Sequence, residues 1–175
     1  RDEIPRQIQL NRDTEPCDGS VFFTAHSFYD NAKNSTDSLR LNYYKYPALW
    51  PTMNWKDSIP PAAPQNPLLD IASDGSKTIT WDAPTYTDPA DSAYAYVIYR
   101  APYPLDDLSD MSTAKDIQFH QDHFFEDDAD GMYYYGITSL DRYKLESPIA
   151  KTAHPFVEPL APFYANASLP KDLQL

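Results

Sequence analysis

Two histidines three residues apart, His120 and His123, sit in an acidic run with Glu126, Asp127, Asp128 and Asp130. Oxygen-rich clusters of this kind suit Ca²⁺. The spacing does not fit the twelve-residue calcium loop of an EF-hand, and the nearest glycine is Gly131. If 119–124 is a strand, the two imidazoles face opposite sides, which argues against joint ligation. A solvated acidic loop is the better reading, so no metal and no cofactor is expected. Trp50, Trp55 and the Tyr43/Tyr44/Tyr46 group are a second candidate, since aromatic faces stack on sugar rings. Beside a Pro-rich stretch, such residues more often bury themselves at a domain junction. Trp50, Pro51 and Trp55 are read as that junction. Tyr99, Tyr103 and Tyr134 are a separate set whose rings, if exposed, would form a carbohydrate platform. Ser27, Ser139 and Ser147 lack the flanks of a nucleophile elbow, and no Gly-rich phosphate loop occurs. Asn34-Ser-Thr36 and Asn166-Ala-Ser168 match glycosylation acceptors but are read as chance.

The elements that must position these residues come next. The 175 residues allow one domain, or one domain and part of another. Fourteen Tyr and eight Phe favour β structure. Seventeen Pro against four Gly mean that the chain turns with Pro, Asp and Asn and stiffens its connections with Pro. No apolar run approaches a bilayer-spanning length. No signal peptide is recognisable and the first residue is Arg1, so the chain is expected to be a cut or processed piece. Cys17 alone can form no internal disulfide and no multi-cysteine zinc site.

Charge is uneven. Residues 1–60 carry seven basic and eight acidic side chains, while 61–175 carry seven and eighteen. Most of the net charge of −12 therefore lies in the second part. Such a surface repels phosphate backbones and anionic membranes, so neither is an expected partner.

Residues 1–58 read as mixed α/β. Glu3 to Leu10 suggests a helix end, with Pro5 tolerated in its first turn. Val21-Phe-Phe-Thr-Ala25 reads as a strand buried on both faces. Ser35 or Thr36 is expected to cap a helix from Asp37 to about Tyr44, stopped by Pro47. Residues 59–67, Ile-Pro-Pro-Ala-Ala-Pro-Gln-Asn-Pro, read as a stiff linker. Residues 68–152 alternate as about seven short strands, the pattern of a two-sheet sandwich. Asp74-Gly75 marks a turn, Ile79 and Trp81 point inward, and Tyr96 and Ile98 oppose Val97 and Tyr99. Ile117–Phe119, Phe124-Phe125 and Ile149 mark further strands, and Tyr133, Tyr135, Ile137 and Ser139 share one face. Residues 153–175 are a Pro-punctuated tail.

Trp81, Tyr96-Val-Ile-Tyr-Arg100, Tyr133-x-Tyr-x-Ile-x-Ser-x-Asp141 and Glu146-Ser147 together resemble a fibronectin type III domain over about residues 62–152. The resemblance implies a mainly β fold, a seven-stranded fibronectin-III/immunoglobulin-like antiparallel sandwich. It also implies that Tyr133 makes a tyrosine corner with backbone a few residues upstream. The acidic stretch from Asp106 to Asp130 is longer than that family has.

Glu3-Ile-Pro-Arg-Gln-Ile8, Gly19-Ser-Val-Phe-Phe-Thr-Ala-His-Ser27, Asn42-Tyr-Tyr44, Tyr46-Pro-Ala-Leu49 and Pro51-x-Met53 with Trp55 resemble the end of a barrel. The barrel is that of the glycoside-hydrolase-like family related to family 10. The resemblance implies that 21–25 is the eighth strand of a (β/α)₈ barrel and 39–46 part of its helix. It further implies a bacterial protein that is secreted or held in the cell envelope. Catalytic carboxylates would lie on earlier strands, so no catalytic residue is assigned here. His26, Phe28 and Tyr29 would stand at the strand's active-site rim, His26 bonding a sugar and an aromatic ring stacking on one. The expected function is a non-catalytic C-terminal segment whose sandwich spaces or braces the catalytic barrel. A carbohydrate-binding module or a protein-interaction module is the alternative. Expected partners are the rest of the barrel, a polysaccharide, and a second copy paired through the open edge of 21–25.

Overall fold

The computed structural model describes residues 3–15, 17, 19–23, 25–31, 34–119, 122–126 and 131–153. Seven strands among them build two antiparallel sheets. The strands are β1 Gln65–Ile71, β2 Lys77–Asp82, β3 Ala95–Ala101, β4 Ala114–Phe119, β5 His123–Glu126, β6 Tyr134–Leu140 and β7 Ala150–Lys151. One sheet has the order β1-β2-β5 and the other β4-β3-β6-β7. The expected sandwich is therefore present. Its first strand starts at Gln65, inside the Pro-rich stretch. That stretch is docked rather than free: Pro61 and Pro64 are buried, and Ser139 Oγ donates to Ala62 O at 2.6 Å.

Alternation explains the core between the sheets. Ile79 and Trp81 of β2, Tyr96 and Ile98 of β3, Phe124 of β5, and Tyr135 and Ile137 of β6 form one cluster. Each pair is two apart along its strand, so each points to the same face. The turn before β2 follows its sequence signal. Gly75 adopts φ 89°, open to a residue without Cβ, and the Ser76 amide donates to Asp74 Oδ1 at 2.9 Å.

The segment before the sandwich is helical. It contains α1 Glu3–Arg12, α2 His26–Tyr29, α3 Ser35–Ser38 and a π-helical turn Leu39–Tyr43. Three expectations are corrected here. The helix near 37–44 exists, but neither Ser35 nor Thr36 caps it. Asn34 precedes it in a left-handed conformation, and Asn31 Oδ1 accepts the Thr36 amide at 3.0 Å. Residues 21–23 form no strand, and Val21 and Phe23 are fully exposed. Without neighbouring strands their backbone groups have no ladder to join, so an apolar run by itself makes no strand. The open strand edge expected to pair two copies is consequently not formed at those residues.

No helix among the described residues is long and apolar enough to cross a membrane.

Candidate functional site

β3 is buried on both faces. Its inward residues join the core, and its outward residues, Ala95, Val97, Tyr99 and Ala101, form a second cluster with Leu105, Ala114 and Leu140. A sandwich sheet ordinarily turns a polar face to water. Here the outer face of the four-stranded sheet is apolar and covered. Leu105, Leu108 and Met111 fold over it from the loop between β3 and β4, and Leu49 reaches it from the N-terminal segment. The start of the long acidic stretch thus carries an apolar lid. Its signal was present in the sequence, since Leu105, Leu108 and Met111 recur every three residues.

Polar groups in this face are satisfied. Tyr99 Oη donates to Glu146 Oε1 at 2.7 Å, and Thr138 Oγ1 donates to the same oxygen at 2.6 Å. Burial above all, and then the Glu146 hydrogen bond, push the Tyr99 hydroxyl well above the usual phenol range. Glu146 bridges to Leu140, and the Ser139 amide donates to Ser147 Oγ at 2.9 Å, so 146–147 pair with β6 ahead of the short final strand.

The N-terminal segment meets the sandwich at one end of this face. Trp50 packs on Phe119 with ring centroids 5.7 Å apart, and Tyr94 packs edge-on to Phe119 at 5.5 Å. Lys144 Nζ lies 4.9 Å from the Trp50 ring centre and 3.9 Å from that of Tyr94. The Met53 amide donates to Tyr143 O at 2.9 Å. Trp50 is therefore a junction residue as expected from its place in the chain, whereas Trp55 is 77% exposed and packs no junction.

The other sequence candidates fall elsewhere. His26, Phe28 and Tyr29 lie on α2, not at the end of a strand. His26 Nδ1 is 3.0 Å from Asp30 Oδ2, Phe28 meets Phe22 edge-on at 4.9 Å, and Tyr29 is 85% exposed. The structure brings together no sugar-stacking pair from these three. Tyr99, Tyr103 and Tyr134 cannot form one platform, because Tyr99 is fully buried and hydrogen-bonded. Tyr103 is exposed and Tyr134 packs beside the second cluster. Tyr133 lies under the Arg100 guanidinium, 4.3 Å from ring centre to carbon. The corner expected of Tyr133 involves backbone a few residues upstream, where 127–130 lie outside the described residues. His120, Asp127, Asp128 and Asp130 lie outside them as well. His123 Nδ1 contacts Asp122 Oδ1 at 2.9 Å, and no metal-holding group of His, Cys, Asp or Glu occurs among the described residues.

A cleft of about 700 Å³ lies between α1, the π-helical turn and 44–49, lined by Arg12, Asn42, Phe22, Tyr44 and Tyr46 among others. Arg12 donates to Tyr43 O, and its guanidinium sits over the Tyr43 and Tyr44 rings. Among the described residues its lining contains no carboxylate.

The strand order and double-sheet core define a fibronectin type III-like sandwich. No protein-family model matches the chain. It is similar to the Glycosyl hydrolase YngK of Bacillus subtilis (strain 168), 32% identical over 153 residues. That match covers 86% of this chain and 29% of the relative, so the chain spans less than a third of the relative's length. Among solved structures, a Fn3-like protein from Clostridium thermocellum matches at a TM-score of 0.41 and 20% identity, over 57% of this chain and 99% of that one. The central fibronectin-III array of RIM-binding protein matches at 0.38 and 17%, over 52% and 32% of the two chains. The relation to the C-terminal part of a glycoside-hydrolase-like protein, expected from the sequence, fits the curated relative and the fold.

Proposed function

We propose that this chain is a non-catalytic accessory part of a glycoside-hydrolase-like protein, and that its sandwich braces the segment before it. The carrying observation is the junction. The outer face of β4-β3-β6-β7 is apolar, receives Leu49, and is flanked by the Trp50–Phe119 contact and the Met53–Tyr143 hydrogen bond. A free spacer needs no such face. A brace does, because a covered apolar face and a backbone bond fix orientation.

The distribution of burial supports the same reading. Among the described residues of 1–59, Ile8 and Leu39 are the buried hydrophobic side chains, while Val21, Phe22, Phe23, Tyr29, Leu41 and Trp55 are exposed. A segment with that little core does not stand as a domain by itself. It fits a piece of a larger catalytic domain, in keeping with the length of the curated relative. The proposal carries an extracytoplasmic location and a polysaccharide as the parent's substrate, both from the family resemblance.

The test is to assay the 175-residue chain alone against a panel of glycans. It should release no sugar, whereas the parent containing both parts should. Turnover by the isolated chain would overturn the non-catalytic assignment.

A further inference from the structure

We propose that Lys144 is a latch that fixes the N-terminal segment to the sandwich. The turn between β6 and β7 is built by Asp141, whose Oδ1 accepts the amides of Tyr143 at 2.7 Å and Leu145 at 2.9 Å. Asp141 is fully buried, so this turn is held from within. At its tip Lys144 adopts φ 69°. That left-handed conformation suits Gly or Asn and is costly for a longer side chain. A lysine there is explained by what its side chain reaches.

The ammonium is placed between two rings from different parts of the chain. Tyr94 leads into β3, and Trp50 belongs to the N-terminal segment. Both rings rest on Phe119 of β4, so a single cation draws together faces that Phe119 already supports. The neighbouring Tyr143 carbonyl accepts the Met53 amide, so one turn grips the segment at two points three residues apart. The inference rests on the brace reading and names the residue that sets its strength.

Hydrogen exchange of the intact 175-residue chain tests it through the Met53 amide, with the β3 amides of Val97 and Ile98 as internal reference. Lys144→Asn keeps a residue that tolerates the left-handed turn and removes the cation. It should speed Met53 exchange by about three- to tenfold, the range of a partly desolvated cation–π contact. The β3 amides should not change, and Lys144→Arg should restore slow exchange. If Lys144→Asn leaves Met53 unchanged while Trp50→Ala speeds it, the latch is overturned and the brace stands. If neither substitution moves Met53, the brace reading falls too. Equal acceleration of Val97 and Ile98 would assign Lys144 to the sandwich's own stability and also overturn the latch.

Discussion

Glu126 and Tyr135 join the two sheets through the core: Tyr135 Oη donates to Glu126 Oε2 at 2.6 Å. The other carboxylate oxygen takes Arg100 Nη1 at 2.5 Å and Lys115 Nζ at 2.6 Å. Glu126 comes from β5, and its three partners from β6, β3 and β4. One buried carboxylate therefore ties the three-stranded sheet to three strands of the other. Lys115 is the most exposed partner, so the tie rests mainly on Arg100 and Tyr135.

Glu126→Ala should lower the unfolding free energy by about 3 kcal/mol, because it strands a largely buried guanidinium and a buried hydroxyl. Tyr135→Phe should cost only about 1 kcal/mol, the usual net worth of one hydrogen bond. Urea denaturation of both variants checks the order. Equal losses would mean that the carboxylate's charge contributes nothing beyond its bond to the phenol.

Alkaline pH should unfold the sandwich before these phenols ionise. Burial, then the hydrogen bond to a carboxylate, raises both Tyr99 and Tyr135 above the ordinary value of 10.0. A raised folded pKa means that the folded state holds its proton longer than the unfolded chain does. The stability this contributes is complete below pH 10 and is lost as pH rises through the folded values. Absorbance titration at tyrosinate wavelengths should show a late fraction that appears together with loss of β circular dichroism. Ionisation of all tyrosines near pH 10 in a folded protein would contradict this.

Gly136 has no room for a side chain. A Cβ there would stand 2.7 Å from Ile149 Cγ1 and closer still to its Cδ1. Gly136→Ala should cost about 1–3 kcal/mol through overpacking at the β6–β7 pair. Adding Ile149→Ala should recover part of that loss. A double-mutant cycle by thermal unfolding reads the coupling, and strictly additive losses would rule out the clash.

Leu105 is buried in the lid over the outer face. Leu105→Ala should cost about 2–4 kcal/mol, as a core truncation does. A loss under about 0.5 kcal/mol, typical of a surface loop, would show that the lid is not part of the packed structure.

Legibility from the sequence followed periodicity. Ile79/Trp81 and Tyr96/Ile98 alternate cleanly, and their strands and inward faces were readable. Val21–Ala25 was readable only by assuming neighbours. An apolar run reports that a strand would be buried, not that anything is present to bury it, and Val21 and Phe23 lie open. Tyr99 looked like a surface ring because a sheet's outer side is normally wet. Nothing local to Tyr99 announces that Leu105 and Leu49 cover it. The Lys144 contacts join residues nearly a hundred positions apart in the chain, beyond the reach of any pattern along it.

The doubly buried β3 bears on how freely this sandwich travels between proteins. A cassette that can be cut out and spliced elsewhere needs a water-facing side on every strand. This one covers the outer face of β3 with its own Leu105, Leu108 and Met111, but completes the cover with Leu49 of the neighbouring segment. Excised at the proline stretch, it would trade Leu49 and Trp50 for solvent and gain a sticky flank. Cutting the chain at the proline stretch should therefore be less well tolerated than cutting it ahead of Leu49.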